Sequence, residues 1–286
     1  MNDLINPPFN YTGSKFKLLN QILPLMDYSK SHFVDLFSGG GSVYVNLLNK
    51  FDSILVNDII SDLIEIQKEI IKGDEIIEIV KSLCPGKNNK EGYYSLRDSY
   101  NSNPSPDKLW SLMLSCGNNM MRFNKSFKFN QTYGDRGWNE STSKKLIPYI
   151  EIIRKFKDKI NYLSHKFHEI PIRENTMYYC DPPYGRIKSP DGNMSNKQIS
   201  EAGYNCYWDY DDDIKLYEYL HNINKIGSSF MVSGVLEHNG NISWMLDKLI
   251  NDGFYYKEIE CDYDKVSKKG KKSTKEIIIL NYEPKN

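Results

Sequence analysis

The chain has 286 residues, and its 37 basic and 37 acidic side chains cancel to a net charge of zero. Hydrophobic residues make up 40% and charged residues 26%, the balance of a soluble globular protein able to bury a sizeable core. Zero net charge leaves any attraction to phosphate to local clusters. Five scattered cysteines without a CxxC pair speak against a disulfide framework or a zinc site, and no apolar run suggests a signal core or a membrane span, so a cytoplasmic protein is expected.

Residues 7–13, Pro-Pro-Phe-Asn-Tyr-Thr-Gly, read as an extended, turning entry. Ser14 reads as the N-cap of a helix over 15–26, with Leu18, Leu19, Ile22 and Leu23 on one face. His32-Phe33-Val34-Asp35-Leu36-Phe37 is a short buried strand running into Ser38-Gly39-Gly40-Gly41-Ser42. A helix carrying Val43, Val45, Leu47 and Leu48 is expected next. Strand, glycine turn and helix make a ligand-binding order, because glycine lets backbone approach a ligand and a helix start offers free amides. Residues 53–58 read as a second strand ending on Asp58. In dinucleotide folds an acid about 20 residues past the glycine turn bonds a ribose, and Asp58 stands 17 past Gly41.

From Ser61 the pattern is helical, with helices expected over 63–71, 74–83, 91–99 and 107–116. Residues 118–124 and 127–136 read as a hairpin or an ordered loop pair. They mix Arg, Asn, Gln and aromatics, the side chains used to read base edges. A helix over 144–156 leads back to α/β pattern: a strand through Tyr178, a helix over 214–223, a strand over 229–233, a helix over 242–250, and strands over 254–259 and 276–280. The expected fold class is α/β with a doubly wound, mixed sheet. Residues 1–60 and 151–286 form one domain in this reading, and 61–150 an inserted helical subdomain.

Two stretches carry chemistry. Acids flank the glycine turn, Asp35 before it and Asp58 on the next strand. A phosphate would prefer lysine or a bare helix start; acids suit a ligand with hydroxyls and a positive charge, such as S-adenosylmethionine. The second stretch, Asp181-Pro182-Pro183-Tyr184, ends an apolar strand. Strand ends of this kind bind ligands in open α/β sheets. Two prolines stiffen the loop and remove two amide donors. The exocyclic amine of a nucleobase is a poor nucleophile, its lone pair delocalised into the ring. A carboxylate and a backbone carbonyl aimed at its hydrogens draw the nitrogen towards tetrahedral geometry and free the lone pair. Tyr184 can stack on the base, which has to be flipped out of a duplex to be reached.

The order Tyr11…Lys15, Asp35-Leu36-Phe37-Ser38-Gly39-Gly40, Asp58, helical insertion, Asp181-Pro182-Pro183-Tyr184 resembles the Dam-like (alpha group, D12 class) DNA adenine-N6 methyltransferases, from about residue 7 to 282. Ser233-Gly234-Val235-Leu236-Glu237-His238 is similar to that family's Ser-Asn segment after a core strand. The resemblance implies a Rossmann-like fold, S-adenosylmethionine as methyl donor with S-adenosylhomocysteine as product, no metal, and double-stranded DNA as partner. It implies that Tyr11, Lys15, Asp35, Phe37, Ser38, Gly39, Gly40, Asp58, Phe167 and Asp181 hold the cofactor, Phe167 through an aromatic-x-acid segment beside its adenine. Asp181, Pro182, Pro183 and Tyr184 are then catalytic. Arg122, Asn124 and Asn130 correspond to a target-recognition hairpin, and Arg136 to a Gly-x-Arg that bonds guanine. The family's GATC enzymes commonly carry Pro before the aromatic-Gly pair, where this chain has Gln131-Thr132-Tyr133-Gly134; the expected target is GATC or another short A-T-containing site. A cognate restriction endonuclease, not a subunit, is a candidate partner.

Plainer alternatives stand beside these assignments. Lys15 could be a solvated helix charge, Asp58 a helix cap, and Arg122 and Arg136 partners of surface acids. The lysines of 265–275 are either a solvated hairpin tip or a phosphate contact. Trp208, with Tyr204 and Tyr207, could cap the flipped base or cover the core. Cys180 reads as inert packing, and the histidines show no metal spacing. Rival activities are methylation of the cytosine amine, where Ser-Pro-Pro-Trp is more usual, methylation of RNA adenine, and an inactive DNA-binding homologue.

Overall fold

The computed structural model describes residues 4–9, 11, 13–117, 121–124, 126–183, 185–189, 191–199, 208–260 and 274–284. Its strands are β1 (His32–Asp35), β2 (Ser53–Asn57), β3 (Ile160–Leu163), β4 (Thr176–Cys180), β5 (Arg186–Lys188), β6 (Met194–Gln198), β7 (Ser229–His238), β8 (Asn241–Ile242), β9 (Tyr255–Ile259) and β10 (Thr274–Leu280). Its α-helices are α1 (Leu19–Ile22), α2 (Ser61–Glu69), α3 (Asp74–Leu83), α4 (Lys90–Ser102), α5 (Pro106–Ser115), α6 (Glu140–Phe156), α7 (Tyr210–Lys225) and α8 (Trp244–Asn251). The chain divides into two compact units, Met1–Phe16 with Ser38–His165, and Lys17–Phe37 with Lys166–Asn286.

In the first unit β2 and β3 pair in parallel, Ile54 opposite Ile160 and Asn57 opposite Leu163. Helix α5 is buried from Leu109 to Ser115 and packs against α2, α3 and α4. A helix apolar on most sides belongs at the centre of a bundle. Its start has Pro106 in the first turn, where a missing amide costs nothing. Asn89 and Asn139 cap α4 and α6, each accepting a backbone N–H three residues on.

In the second unit β4 lies between β1 and β7, parallel to both, with Asp35 opposite Tyr179 and Cys180 opposite Val232. Every residue of β4 is buried, as expected of a strand covered on both faces. β10 runs antiparallel to β7, and β9 antiparallel to β10. The mixed α/β class with mainly parallel pairing is the one the sequence predicts.

Four local departures have physical causes. The helix expected over 15–26 breaks into a 3-10 turn, the single α-turn of α1, and a second 3-10 turn over Leu23–Leu25. Pro24 lacks the amide needed to continue the α-helix. After the glycine turn there is no α-helix, only a 3-10 turn over Tyr44–Asn46. The Asn46 side chain accepts Ile5 N–H at 2.8 Å and donates to the carbonyls of Ile5 at 2.9 Å and Ser42 at 2.8 Å. It thereby engages the Ser42 carbonyl that Asn46 N–H would take in an α-helix. β3 is only four residues long and follows directly on a helical pattern, and the β5–β6 hairpin carries too few apolar residues to announce itself. The hairpin is held by its turn, where Asp191 accepts from Ser189 Oγ and from Asn193 N–H at 3.2 Å. β7 runs five residues beyond the expected 233 because β10 pairs along it to His238. Among the described residues, no helix is long and apolar enough to cross a membrane.

Candidate active site

The glycine turn belongs to the first unit and is fixed at both faces of Gly39. Asp58 Oδ2 accepts Gly39 N–H at 2.9 Å, and Gln67 on α2 donates its amide to the Gly39 carbonyl at 3.0 Å. Ser38 N–H bonds the Asn57 carbonyl and Gly41 N–H the Ser38 carbonyl, both at 2.8 Å. Gly39 has φ +50°, and a Cβ there would stand 2.7 Å from Tyr11 Cε1. A Cβ on Gly40 would stand 2.9 Å from Tyr11 Cβ. Tyr11 therefore lies against the turn, and only glycine leaves room for it.

Asp58 is buried, and desolvation pushes its carboxyl above the ordinary range against the lowering effect of the Ile60 and Gly39 amides. Its Oδ1 accepts Ile60 N–H at 3.0 Å, just ahead of α2. The helix-start and turn-holding roles thus coexist on one carboxylate, which has about four acceptor sites. Lys15 Nζ donates to the Gly13 carbonyl at 3.2 Å, and Ser14 Oγ accepts Phe16 N–H at 3.4 Å.

In the second unit β4 delivers Asp181, Pro182 and Pro183 at its carboxyl end. Ser233 Oγ, fully buried on β7, donates to Asp181 Oδ1 at 3.0 Å. The hydroxyls of Ser233 and Tyr179 lie 2.9 Å apart. Burial and the nearby Asp181 carboxylate push the Tyr179 phenol well above its ordinary range, so it stays protonated. Burial does the same to the Cys180 thiol, in keeping with inert packing.

Asp35 is buried at the end of β1, opposite Tyr179. Phe37, Phe167 and Trp208 form one cluster of rings: Phe37 and Phe167 lie 5.5 Å apart, Phe37 and Trp208 5.7 Å, Phe167 and Trp208 5.5 Å. Glu169 accepts Lys166 N–H at 3.1 Å, closing the short turn that presents Phe167.

Arg122, Asn124 and Asn130, expected to read DNA, lie on a tight hairpin of the first unit. Asn130 N–H bonds the Arg122 carbonyl and Asn124 N–H the Lys128 carbonyl, each at 2.9 Å, with Phe123 and Phe129 bridged. Exposure alternates: Arg122, Asn124, Lys128 and Asn130 face outward, while Met121, Phe123, Phe129 and Gln131 face inward. Asn124 Oδ1 accepts Ser126 N–H at 2.9 Å and Lys128 N–H at 3.0 Å, so it shapes the tip. Gln131 is packed, its amide on the Gly117 carbonyl at 3.2 Å. Arg136 is half-buried, with Nε on the Gly134 carbonyl at 3.3 Å.

Tyr184, Tyr204, Tyr207, Asn118, Asn119 and Lys265, Lys268, Lys269, Lys271 and Lys272 lie outside the described residues. Among the described residues no three His, Cys, Asp or Glu side chains gather to hold a metal ion. Two buried groups, Gln67 bonded to the glycine turn in the first unit and Asp213 bonded to Arg186 in the second, escape sequence reasoning. Gln67 had one available signal, a polar residue among Leu63, Ile64, Ile66 and Ile70 on a helix. Asp213 had none, since it sits in a run of acids at a helix start.

A model of the D12 class of N6 adenine-specific DNA methyltransferases matches residues 11–264. The chain is 31% identical over 248 residues to the type II methyltransferase M.FokI of Planomicrobium okeanokoites, covering 84% of this chain and 37% of that protein. It is 30% identical over 295 residues to the modification methylase StsI of Streptococcus sanguinis, 98% of this chain and 43% of that protein. It spans about two fifths of the length of these relatives. Against the type II methyltransferase M1.LlaDCHI of Lactococcus lactis subsp. cremoris it is 25% identical, and the match covers 97% of this chain and 96% of the other. A match over residues 11–264, carrying the glycine turn and the Asp181 loop in family order, places this chain in the D12 class of N6 adenine-specific DNA methyltransferases.

Proposed function

We propose that the chain is a site-specific DNA adenine-N6 methyltransferase that uses S-adenosylmethionine. The observation that carries the proposal is Asp181: a carboxylate at the end of a buried parallel strand, oriented by Ser233 and followed by two prolines. The residues around the glycine turn suit the methyl donor. Ser38 Oγ and Gln67 Oε1 are buried there without a hydrogen-bond partner. Asp58 keeps acceptor capacity for a ribose diol, and the glycine turn leads into a 3-10 turn rather than an α-helix whose start would favour a phosphate. When bound, S-adenosylmethionine supplies an electrophilic methyl carbon on a sulfonium, leaving as S-adenosylhomocysteine.

The chain's own residues do the rest. We assign Tyr11, Lys15, Asp35, Phe37, Ser38, Gly39, Gly40, Asp58, Phe167 and Asp181 to the methyl donor. Asp181 and the Pro182 carbonyl accept hydrogen bonds from the two N–H groups of the adenine amine and turn its lone pair outward; the proton that the methylated nitrogen must lose leaves on the Asp181 side and passes to solvent. Pro183 fixes that geometry, and Tyr184 stacks on the flipped base. Residues 61–150 form the target-reading insertion, with Arg122, Asn124, Asn130 and Arg136 facing DNA. The relatives named as modification methylases support a restriction–modification setting, with a separate endonuclease. The DNA substrate and five scattered cysteines without a CxxC pair support a cytoplasmic location.

Single-molecule sequencing of DNA from cells expressing the chain should show N6-methyladenine in one short site. Cells expressing Asp181→Ala should lack it, with in vitro turnover down roughly 10³-fold and DNA binding retained. Modified cytosine, or an active Asp181→Ala variant, overturns the proposal.

A further inference from the structure

Asp213 lies in the first turn of α7 and is fully buried. Its Oδ2 accepts the backbone N–H of Arg186 at 2.9 Å, and its Oδ1 accepts the indole N–H of Trp208 at 3.2 Å. A Cβ on Gly185 would stand 2.5 Å from Oδ1. Glycine is therefore what lets the chain leaving the Asp181-Pro182-Pro183-Tyr184 loop pass against the carboxylate. Trp208 carries the contact onward to Phe37 and Phe167.

A carboxylate is an expensive buried support. Desolvation drives Asp213 up to about 6, with the Arg186 amide, the Trp208 indole and the Arg186 charge opposing and Asp212 adding to the rise. What the carboxylate alone offers is an acceptor on both oxygens; asparagine offers one acceptor and one donor. Two N–H donors from two separate segments converge here, so both oxygens are used.

We propose that Asp213 is a positioning residue for methyl transfer, holding the exit of the catalytic loop and the Trp208 ring in one fixed relation. Cofactor binding against Phe37 and Phe167 is thereby coupled, through Trp208 and Asp213, to the position of Gly185 and Arg186. This inference rests on the assignment of Asp181 to catalysis and of Phe37 and Phe167 to the cofactor.

The test compares Asp213→Asn, Trp208→Phe, their combination, and Asp181→Ala. Asp213→Asn sets an amide N–H₂ against one of the two N–H donors. It should lower kcat by about 10-fold or more and weaken S-adenosylmethionine, measured by calorimetry, by a similar factor. Its urea midpoint should stay at or above that of the parent. Trp208→Phe keeps the ring and loses the donor, so it should weaken cofactor binding. The double variant should bind no worse than Asp213→Asn, the signature of one shared interaction. Parent-like kcat and cofactor affinity in Asp213→Asn overturn the inference. So do additive losses in the double variant, and so does a lowered urea midpoint that accounts for the lost activity. Asp181→Ala separates the two ideas: if it is inactive while Asp213→Asn is normal, only the inference fails, and if it is active, the catalytic assignment itself fails.

Discussion

In the proposed function Asp181 holds an amine rather than merely standing near one, and that demands a carboxylate with a fixed direction. Ser233 supplies it through the 3.0 Å bond to Oδ1, and Tyr179 fixes the Ser233 hydroxyl in turn. All three side chains come from adjacent parallel strands, β4 and β7, whose register sets Cys180 opposite Val232 and so brings Asp181 beside Ser233. A hydrogen bond to a charged group contributes about 1.5–3 kcal/mol. Ser233→Ala is therefore expected to lower kcat by roughly 10- to 100-fold. Cofactor and DNA dissociation constants should change by less than about threefold, because the serine orients a reacting group rather than binding substrate. Steady-state kinetics beside calorimetry makes the comparison. A loss seen in KM alone would move Ser233 from orientation to binding.

At the scale of elements, the hairpin over 121–131 divides into a buried docking edge and an exposed edge, which in the proposed function reads DNA. Asn101 on α4 clasps Phe129 from both sides, donating to its carbonyl at 2.9 Å and accepting its N–H at 2.7 Å. Arg122 projects from the outward edge. Arg122→Ala should weaken binding to the cognate site by about 1–3 kcal/mol and relax specificity at one base pair, with the urea midpoint unchanged. Asn101→Ala should weaken binding too, but with faster proteolysis of the hairpin, since it loosens the backbone that carries Arg122, Asn124 and Asn130. Titration of cognate and mismatched duplexes, run beside limited proteolysis, separates the two. Elements of this kind differ in how plainly the sequence shows them. The periodic apolar faces of α3 and α5 mark those helices to within a residue, and the unbroken apolar run of β4 marks the strand. The helix expected after Gly41 fails because Asn46 makes tertiary bonds that no local pattern encodes. The residues assigned to ligand in the proposed function are chosen by type and spacing. Gln67, Asp213 and Tyr179 are instead buried polar groups whose partners lie 28, 27 and 54 residues away.

For the whole molecule, buried acids set the response to pH. Asp213 ionises at about 6 in the folded chain and at about 3.8 when exposed. Between those values the folded state holds a proton that the unfolded state has released, so this group's contribution to stability falls as pH rises through the window. Ionised above pH 6, it costs on the order of 3 kcal/mol. Asp58, also pushed up by burial, acts in the same direction. Catalysis should respond oppositely. A protonated Asp213 puts a donor where Arg186 N–H or Trp208 Nε1–H needs an acceptor, so turnover should fall below pH 6 as this part of the fold becomes more stable. The other groups facing Asp213 are the Arg186 guanidinium and the Asp212 carboxylate, which oppose each other. Asparagine at 213 cannot ionise. The urea stability of Asp213→Asn, less that of the parent, should therefore be larger at pH 8 than at pH 5. The step in kcat near pH 6 should be absent from the variant at its lower activity. A pH-independent difference between the two proteins would show that Asp213 does not change charge in this range, and that the geometry at Gly185 is held by packing alone.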